Sequence, residues 1–307
     1  MTAVRRRAVL LAGLLAAACT TADDPALVIA SGETGGFYAE FARLLAARLG
    51  EADRFAVTRR TSGSVDNVRA VVDGNAALGL ALADIVVAAR AGQEPFPRPA
   101  PVFAIGRVYE NYLQLVVRAD DPASSLADLA GRAVSLGNAG SGAAIVGDRL
   151  VAATGTTPQA TRLSLKAATA ALADGSLDAL LWSGGVPTPA IADLAERRPI
   201  RLLPLTDQLP ALRARYGSVY KQVVVPQGVY GSTAAVPTIG VANLLVATRN
   251  LPDDVAGDVA RVLVTAAPGL VPASALGTQY LDQTSLVLTG DVPLHPGAAA
   301  AYRDLHG

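Results

Sequence analysis

Short apolar runs along the chain are followed by turns rich in glycine and hydroxyl side chains, and then by helical patterns. The run at 27–30 predicts a buried strand, and residues 31–36 form a polar, glycine-rich turn after it. Phe37, Phe41 and Leu45 then recur every four residues, which places them on one face of a predicted helix. Strand, turn and helix together form the first unit of the chain.

The same unit recurs through the rest of the sequence. Further strands are predicted at 55–58, 77–82, 102–105, 113–117, 133–136, 180–182 and 239–247. Turns rich in Gly, Ser and Thr follow several of them, at 61–64, 137–142 and 183–187. We expect Asp84 to cap the helix after the third strand. This alternation favours an α/β protein with parallel sheets, and a mature chain of roughly 290 residues is long enough for two lobes.

The N-terminal segment has the pattern of an export signal. Three arginines at 5–7 precede the apolar run 8–15, and three alanines at 16–18 form a small-residue cleavage site before Cys19. The apolar run is too short to span a bilayer, which takes about 20 residues. We expect residues 1–18 to be a signal peptide and Cys19 to be the lipidated N-terminus of a lipoprotein.

An ordinary secretory signal with an incidental cysteine is the alternative at this site. The arginines also resemble a twin-arginine signal, so Sec and Tat export both stay open. On either route we expect the protein in the periplasm, held at the membrane if Cys19 carries lipid.

Charge and cysteine content exclude several classes of function. Lys plus Arg number 26, as do Asp plus Glu, and no basic patch or charged tail stands out. Nucleic acid is therefore not expected as a partner. Cys19 is the single cysteine, which leaves no disulfide framework and no thiolate metal site.

The sequence lacks the motifs of common enzymes. Residues 137–142 have the glycine spacing of a phosphate-binding loop, but Ala143 and Ala144 replace the Lys-Ser/Thr that would hold phosphate and magnesium. The two histidines, His295 and His306, lie near the C-terminus, which argues against a histidine base and a histidine zinc site. We expect a structural role for His295, no catalysis, no metal and no cofactor.

The turns before the helices can instead bind an anion. A helix N-terminus exposes unpaired N–H groups and about half a positive charge. Glycine lets a ligand approach the backbone, and hydroxyl groups add donors. Several such turns meeting at one cleft would suit a small carboxylate.

Six ordered segments resemble the TAXI family, the substrate-binding proteins of TRAP transporters. The segments are 31–38, 61–69, 136–142, 183–187, 236–241 and 294–298, and the resemblance covers residues 25–305. It implies a type II periplasmic-binding-protein-like fold, with two α/β lobes and a ligand cleft between them. The implied first lobe comprises residues 25–113 plus 245–307, and the second comprises residues 114–244.

The resemblance also implies a function. Members of this family deliver a solute to a TRAP membrane permease that is driven by an ion gradient, without ATP. Their ligands include glutamate, glutamine and dicarboxylates. We therefore expect a monomeric solute receptor for a small carboxylate. A ligand sensor that presents its closed form to a membrane signalling partner is the alternative.

The candidate ligand-binding residues lie in the turns. They are Gly36, Phe37, Tyr38, Thr61, Ser62, Gly63, Ser64, Asn67, Asn138, Gly140, Ser141, Gly142, Trp182, Ser183, Gly184 and Tyr230. Ser64 and Ser141 are expected to donate hydrogen bonds to a carboxylate. Asn67 can face the ligand or pack, Trp182 can form core or cleft wall, and Tyr230 is a candidate gate.

Charged residues at the ends of strands bear on the subclass of ligand. An amino acid needs an acid near its ammonium group, and Glu33, Asp84 and Glu110 are candidates. A dicarboxylate would prefer Arg107 or further helix N-termini. The sequence leaves both ligands open.

Overall fold

The computed structural model describes residues 26–306, so the predicted signal peptide and Cys19 lie outside the described residues. Ten strands form one sheet: β1 (Leu27–Ala30), β2 (Ala56–Arg59), β3 (Leu78–Leu82), β4 (Val102–Arg118), β5 (Ala133–Ser135), β6 (Gln159–Thr161), β7 (Ala179–Gly184), β8 (Ile200–Leu203), β9 (Tyr220–Val225) and β10 (Val236–Thr248). Most of the predicted strands are present, with bounds that differ by a few residues.

Helices connect and cover these strands. They are α1 (Phe37–Glu51), α2 (Ser64–Val72), α3 (Ala83–Ala91), α4 (Gly142–Thr154), α5 (Leu165–Asp174), α6 (Pro189–Arg197), α7 (Leu209–Tyr216), α8 (Asp253–Thr265), α9 (Ala267–Leu270), α10 (Gln283–Leu286) and α11 (Pro296–His306). Within residues 26–306, none is both long enough and apolar enough to cross a membrane.

The strand order is β2-β1-β3-β10-β4-β7-β5-β6, with β8 added to β4 and β9 to β10. Strands β1 to β3 are parallel to one another and lie in the first lobe, together with α1 to α3 and α8 to α11. Strands β5 to β7 are parallel and lie in the second lobe, with α4 to α7. The expected α/β architecture is confirmed.

Two long antiparallel strands, β4 and β10, join the lobes. Strand β4 pairs with β10 as far as Tyr112 and with β7 from Tyr112 onward. The prediction of separate strands at 102–105 and 113–117 is wrong, because β4 is one strand of 17 residues. The polar residues at its centre, including Arg107, Glu110 and Asn111, interrupt the hydrophobic pattern, so the sequence did not indicate one continuous strand. The lobe boundaries at 113/114 and 244/245 stay a prediction, and β4 and β10 both run across them.

The helices pack on the sheet through the faces that their apolar spacing predicts. In α1, Phe37, Phe41 and Leu45 are all buried. They share one core with the inner faces of α8 and α11. His295, before α11, is fully buried, and its Nδ1 accepts a hydrogen bond from the Gly297 N–H, in a structural role as expected.

Asp84 does not cap α3. Leu82 occupies the N-cap position, without a capping side chain. The buried Asp84 carboxylate instead accepts hydrogen bonds from Arg149 (2.5 Å) and from the Tyr220 hydroxyl (2.7 Å). Asp84 therefore bonds residues far along the chain in place of the backbone N–H groups of its own helix. These bonds join α3 to the second lobe.

Candidate functional site

A cavity of about 30 Å³ lies between the lobes, where the N-termini of α1, α2 and α4 meet the end of β7. This space exceeds the roughly 10–15 Å³ that one water molecule needs. Its lining residues are Gly32, Glu33, Gly36, Phe37, Tyr38, Ser62, Gly63, Ser64, Leu82, Asn111, Ser141, Gly142, Ala143, Trp182, Ser183 and Gly184. Most of the predicted ligand-binding residues are therefore brought together.

The N-termini of α1, α2 and α4 lie at this space, and those first-turn N–H groups that bond no protein acceptor are available to a ligand. Ser141 caps α4, since its Oγ accepts the Ala144 N–H at 3.0 Å. That arrangement leaves the Ser141 O–H available to donate. Gly63 caps α2 with a φ of 129°, a conformation that in practice only glycine adopts. The site is thus rich in donors that favour an anion.

Direct hydrogen bonds connect the lobes beside the cavity. The N–H groups of Val65 and Asp66, in the first turn of α2, donate to the Gly140 carbonyl oxygen at 3.1 and 3.2 Å. Gly140 belongs to the turn before α4 in the second lobe. This structure is therefore a closed arrangement, with the two turns in contact across the cleft.

Side chains at the base of the cavity form a polar network. The Tyr38 hydroxyl lies 3.0 Å from the Ser64 Oγ, which also accepts the Leu82 N–H at 3.2 Å. On the crossing strands, Asn243 Nδ2 donates to Asn111 Oδ1 at 2.7 Å. Burial raises the pKa of the Tyr38 hydroxyl, which keeps the phenol neutral.

Glu33 is the single acidic side chain that lines the cavity. Its Oε2 accepts the Leu165 N–H at 2.7 Å, so a carboxylate of the first lobe binds the N-terminus of α5 in the second. Burial raises the pKa of the Glu33 carboxyl, opposed by hydrogen bonds from Leu165 and Asn138 and by the charge of Arg60. Glu33 Oε1 is buried without a hydrogen-bond partner.

Trp182 also has an unpaired polar atom. Its side chain lines the cavity with 8 % of the residue exposed, and the indole N–H is buried without an acceptor. Buried polar groups are nearly always paired. The Trp182 indole N–H and Glu33 Oε1 are therefore a donor and an acceptor at the same cavity that a bound ligand could pair.

Five predicted site residues lie outside the cavity lining. Asn67 is fully buried and packs, donating to the carbonyl oxygens of Ser31 and Leu80 (2.7 Å for Leu80). Thr61 donates to Asn67 Oδ1 at 2.5 Å. These bonds hold the turn before α2 in place, which is a structural task.

The other three predicted residues lie at different distances from the cleft. Gly140 contributes the carbonyl oxygen that joins the lobes, and Asn138 lies beside Glu33 in a neighbouring open groove. Tyr230 is away from the cavity: its hydroxyl donates to Gln114 Oε1 and accepts the Thr188 N–H, both at 2.6 Å. Its position inside the second lobe does not support the interpretation as a gate.

Sequence reasoning missed Gly32, Leu82, Asn111 and Ala143 as lining residues. Gly32 and Ala143 adjoin predicted residues in the same turns. The sequence pattern did not mark Asn111 as a site residue, because it lies in the middle of a strand and not in a turn before a helix. Among the charged candidates Glu33 lines the cavity, whereas Asp84, Arg107 and Glu110 do not.

No group of three or more His, Cys, Asp or Glu side chains within residues 26–306 is arranged to hold a metal ion. No Lys or Arg side chain is among the lining residues of the cavity. Its chemistry is that of neutral donors, aromatic rings and one carboxylate.

The two lobes, the crossing strands and the cleft define the fold of periplasmic solute-binding proteins. The structure resembles that of the periplasmic binding protein BugD, with a TM-score of 0.55 and 16 % identity over 91 % of this chain and 93 % of that chain. It also resembles MatC from Rhodopseudomonas palustris, solved with bound malate, with a TM-score of 0.54 and 13 % identity over 92 % of this chain and 96 % of that chain. A periplasmic transporter matches with a TM-score of 0.55 and 16 % identity, over 92 % of each chain.

The chain belongs to the NMT1-like family, whose profile matches residues 29–305. The match covers both lobes and every turn that lines the cavity. The likeness to the solved structures, at these low identities, shows the fold.

Proposed function

We propose that this protein is the extracytoplasmic solute-binding subunit of a TAXI-type TRAP importer, and that it binds a small carboxylate in the cleft. The observation that carries the proposal is the meeting of three helix N-termini around a buried cavity. Such N-termini stabilise a carboxylate through unpaired N–H groups and the helix dipole.

The polar groups of the cavity favour an amino acid over a dicarboxylate. A second carboxylate would approach Glu33 with no cationic side chain in the lining to compensate. An ammonium group could instead donate to the unpaired Glu33 Oε1. Malate in MatC is consistent with a carboxylate-binding cleft in this fold.

The role in import rests on the resemblance of the turn segments to TAXI proteins and on the family fold. Lobe closure around the solute would create the surface that a permease recognises. Export by Sec or Tat and a lipid anchor at Cys19 would place the receptor beside that permease.

A ligand screen tests the proposal. Residues 20–307 are heated with amino acids and with C4–C6 dicarboxylates, and thermal midpoints are compared with Trp182 fluorescence. Trp182 is the single tryptophan of the chain and lines the cavity, so its emission reports on the cleft. A ligand at about 1,000 times its Kd stabilises the native state by about 4 kcal/mol. We expect a saturable response to an amino acid and a weaker one to dicarboxylates.

A blocked cleft provides the control. Ser141→Trp fills the cavity and is expected to abolish binding in calorimetry, whereas Ser274→Trp, at an exposed serine, leaves it intact. Equal affinity in the two variants would remove Ser141 from the site. A folded protein that binds neither class of ligand would contradict the proposed solute.

A further inference from the structure

Arg107 is a buried cation that makes no salt bridge in the described part of the chain. The residue is 8 % exposed, and its Nε is buried with no hydrogen-bond partner. No ion pair or hydrogen bond of its guanidinium is found within residues 26–306. Its nearest partner is the ring of Tyr280, whose centroid lies 3.6 Å from Cζ.

The acids whose charges interact with Arg107 are Glu110 and Asp282, and neither forms a salt bridge with it. The Glu110 carboxylate is taken by the Tyr280 hydroxyl, which donates to Oε2 at 2.5 Å. Burial raises the pKa of the Glu110 carboxyl, opposed by Tyr280 and by the charges of Lys221 and Arg107. A buried guanidinium is costly unless it is paired and hydrogen-bonded. The unpaired donors of Arg107 therefore indicate a site for an anion.

A cavity of about 270 Å³ adjoins Arg107. Lys221, at the start of β9, lies at the same cavity and supplies a second cation. The exposed side chains of Val87 in α3 and Leu288 after α10 form an apolar wall. Asp291, on the exposed rim, makes no ion pair with Arg107 or Lys221 among the described residues. The cavity thus combines two cationic side chains with apolar surface.

This second cavity is separate from the ligand cleft. Successive side chains of a strand point to opposite faces, so Leu244 lies on the face of β10 opposite Asn243, which hydrogen-bonds to the cleft residue Asn111. The two cavities have no lining residue in common. Arg107 was a candidate partner for a dicarboxylate in the cleft. It lines the second cavity and not the cleft.

We propose that this cavity binds a small organic carboxylate, with its charge held by Arg107 and Lys221 and its aliphatic part against Val87 and Leu288. Tyr280 fixes the plane of the guanidinium and so orients its donors. The apolar wall distinguishes such a ligand from a fully hydrated inorganic anion. The inference does not depend on the solute of the cleft.

Calorimetry and thermal shift with acetate, butyrate, hexanoate and phosphate test this site, at constant ionic strength in sodium chloride. Affinity is expected to rise with chain length, by roughly fourfold for each buried methylene, and phosphate is expected to bind weakly. Arg107→Gln should abolish the hexanoate response. Lys221→Gln, at an exposed position that tolerates substitution, should weaken binding roughly two- to fivefold.

Arg303→Gln and Lys166→Gln are matched controls, because both residues are exposed and distant from this cavity in the chain's fold. Both should keep the affinity of the unmodified protein. Three results would overturn the proposal: no saturable response to hexanoate, equal affinity for phosphate and hexanoate, or responses that survive unchanged in Lys221→Gln and Arg107→Gln.

Discussion

At the scale of single residues, Glu33 joins the two lobes through one buried carboxylate. It belongs to the turn after β1, yet its Oε2 binds the first N–H of α5 across the cleft. Burial raises the pKa of this carboxyl, so the closed protein binds a proton at this group more readily than the unfolded chain does. Its stabilising contribution is then complete at low pH and is lost as the pH rises through the raised pKa.

Glu33→Gln should remove this part of the pH dependence. Glutamine keeps an oxygen that can accept the Leu165 N–H, but it carries no charge at any pH. We expect the thermal midpoint of the variant to fall less than that of the unmodified protein between pH 4.5 and pH 8. Glu40→Gln, at a surface pair with Arg43, is the control and should retain the original profile. Identical profiles for Glu33→Gln and the unmodified protein would contradict the cause assigned to the shift.

Asn67 should prove to be a structural residue. Asn67→Ala leaves the buried carbonyl oxygens of Ser31 and Leu80 without their donor, which costs about 1–3 kcal/mol. Urea unfolding measures this loss of stability. The exposed Asn75→Ala should change stability by less than about 0.5 kcal/mol. A variant of Asn67 that is fully stable but binds no ligand would reverse this interpretation.

Local sequence identified the turns that reach the cavity but not the direction of every side chain within them. Asn67 follows Ser64 by three residues, and the pattern left contact with ligand and packing equally open. Asn67 packs because Thr61, Ser31 and Leu80 hydrogen-bond to it, and these residues come together only in the folded chain. Tyr230 is a similar case, since Gln114 and Thr188 hold its hydroxyl away from the cleft.

At the scale of elements, the cleft depends on how closely α2 and α4 approach each other. Gly142 is the first residue of α4, and a Cβ there would lie 2.6 Å from Leu82 Cδ1 and 2.7 Å from Ser64 Oγ. Both neighbours belong to the first lobe. Glycine at this position therefore permits closure.

Gly142→Ala should weaken ligand binding while the protein still folds. Overpacking of this kind costs about 1–3 kcal/mol in the closed form, which corresponds to a loss of affinity of roughly 5- to 150-fold. Calorimetry with the best ligand of the screen measures the loss, and the ligand-free unfolding midpoint should change little. Gly50→Ala, with open space around its Cβ, is the matched control. Unchanged affinity in Gly142→Ala would show that closure does not need this contact.

Strands and helices were predictable wherever their apolar period was clean. The four-residue strand β1 and the long β10 follow their patterns closely. Strand β4 was not predictable as one element, because Arg107, Glu110 and Asn111 interrupt its hydrophobic run. Their partners, such as Tyr280 for Glu110, come from distant parts of the chain and make polar residues tolerable in a central strand.

At the scale of the whole molecule, β4 and β10 are the described strands that connect the sheet of one lobe to the sheet of the other. The ligand cleft contacts β4 at Asn111, and the second cavity contacts β4 at Arg107 and β10 at Ala242 and Leu244. A ligand in either place would lie beside β4, one of the two strands that join the lobes. Both of the proposed anion sites therefore lie where the two lobes are joined.

The proposed anchor gives a prediction for the whole protein in the cell. Cys19 lies outside the described residues, and two acyl chains on it would hold the receptor stably at the membrane, as a single chain would not. The unmodified protein should sediment with the membrane fraction, and Cys19→Ser should be released to the soluble periplasm. Thr21→Ser should behave like the unmodified protein. A soluble unmodified protein would contradict lipidation.

The sequence by itself determined the alternation of strands and helices, most of the strands and the turns that line the cavity, because these follow from local apolar period and from glycine and hydroxyl residues at helix starts. It also indicated the family resemblance and the absence of common catalytic motifs. The tertiary structure decided which polar groups face the cleft, which hold turns together and which, like Arg107, occupy a second cavity. Those outcomes depend on strand register and on partners far along the chain, and neither is encoded in any local segment.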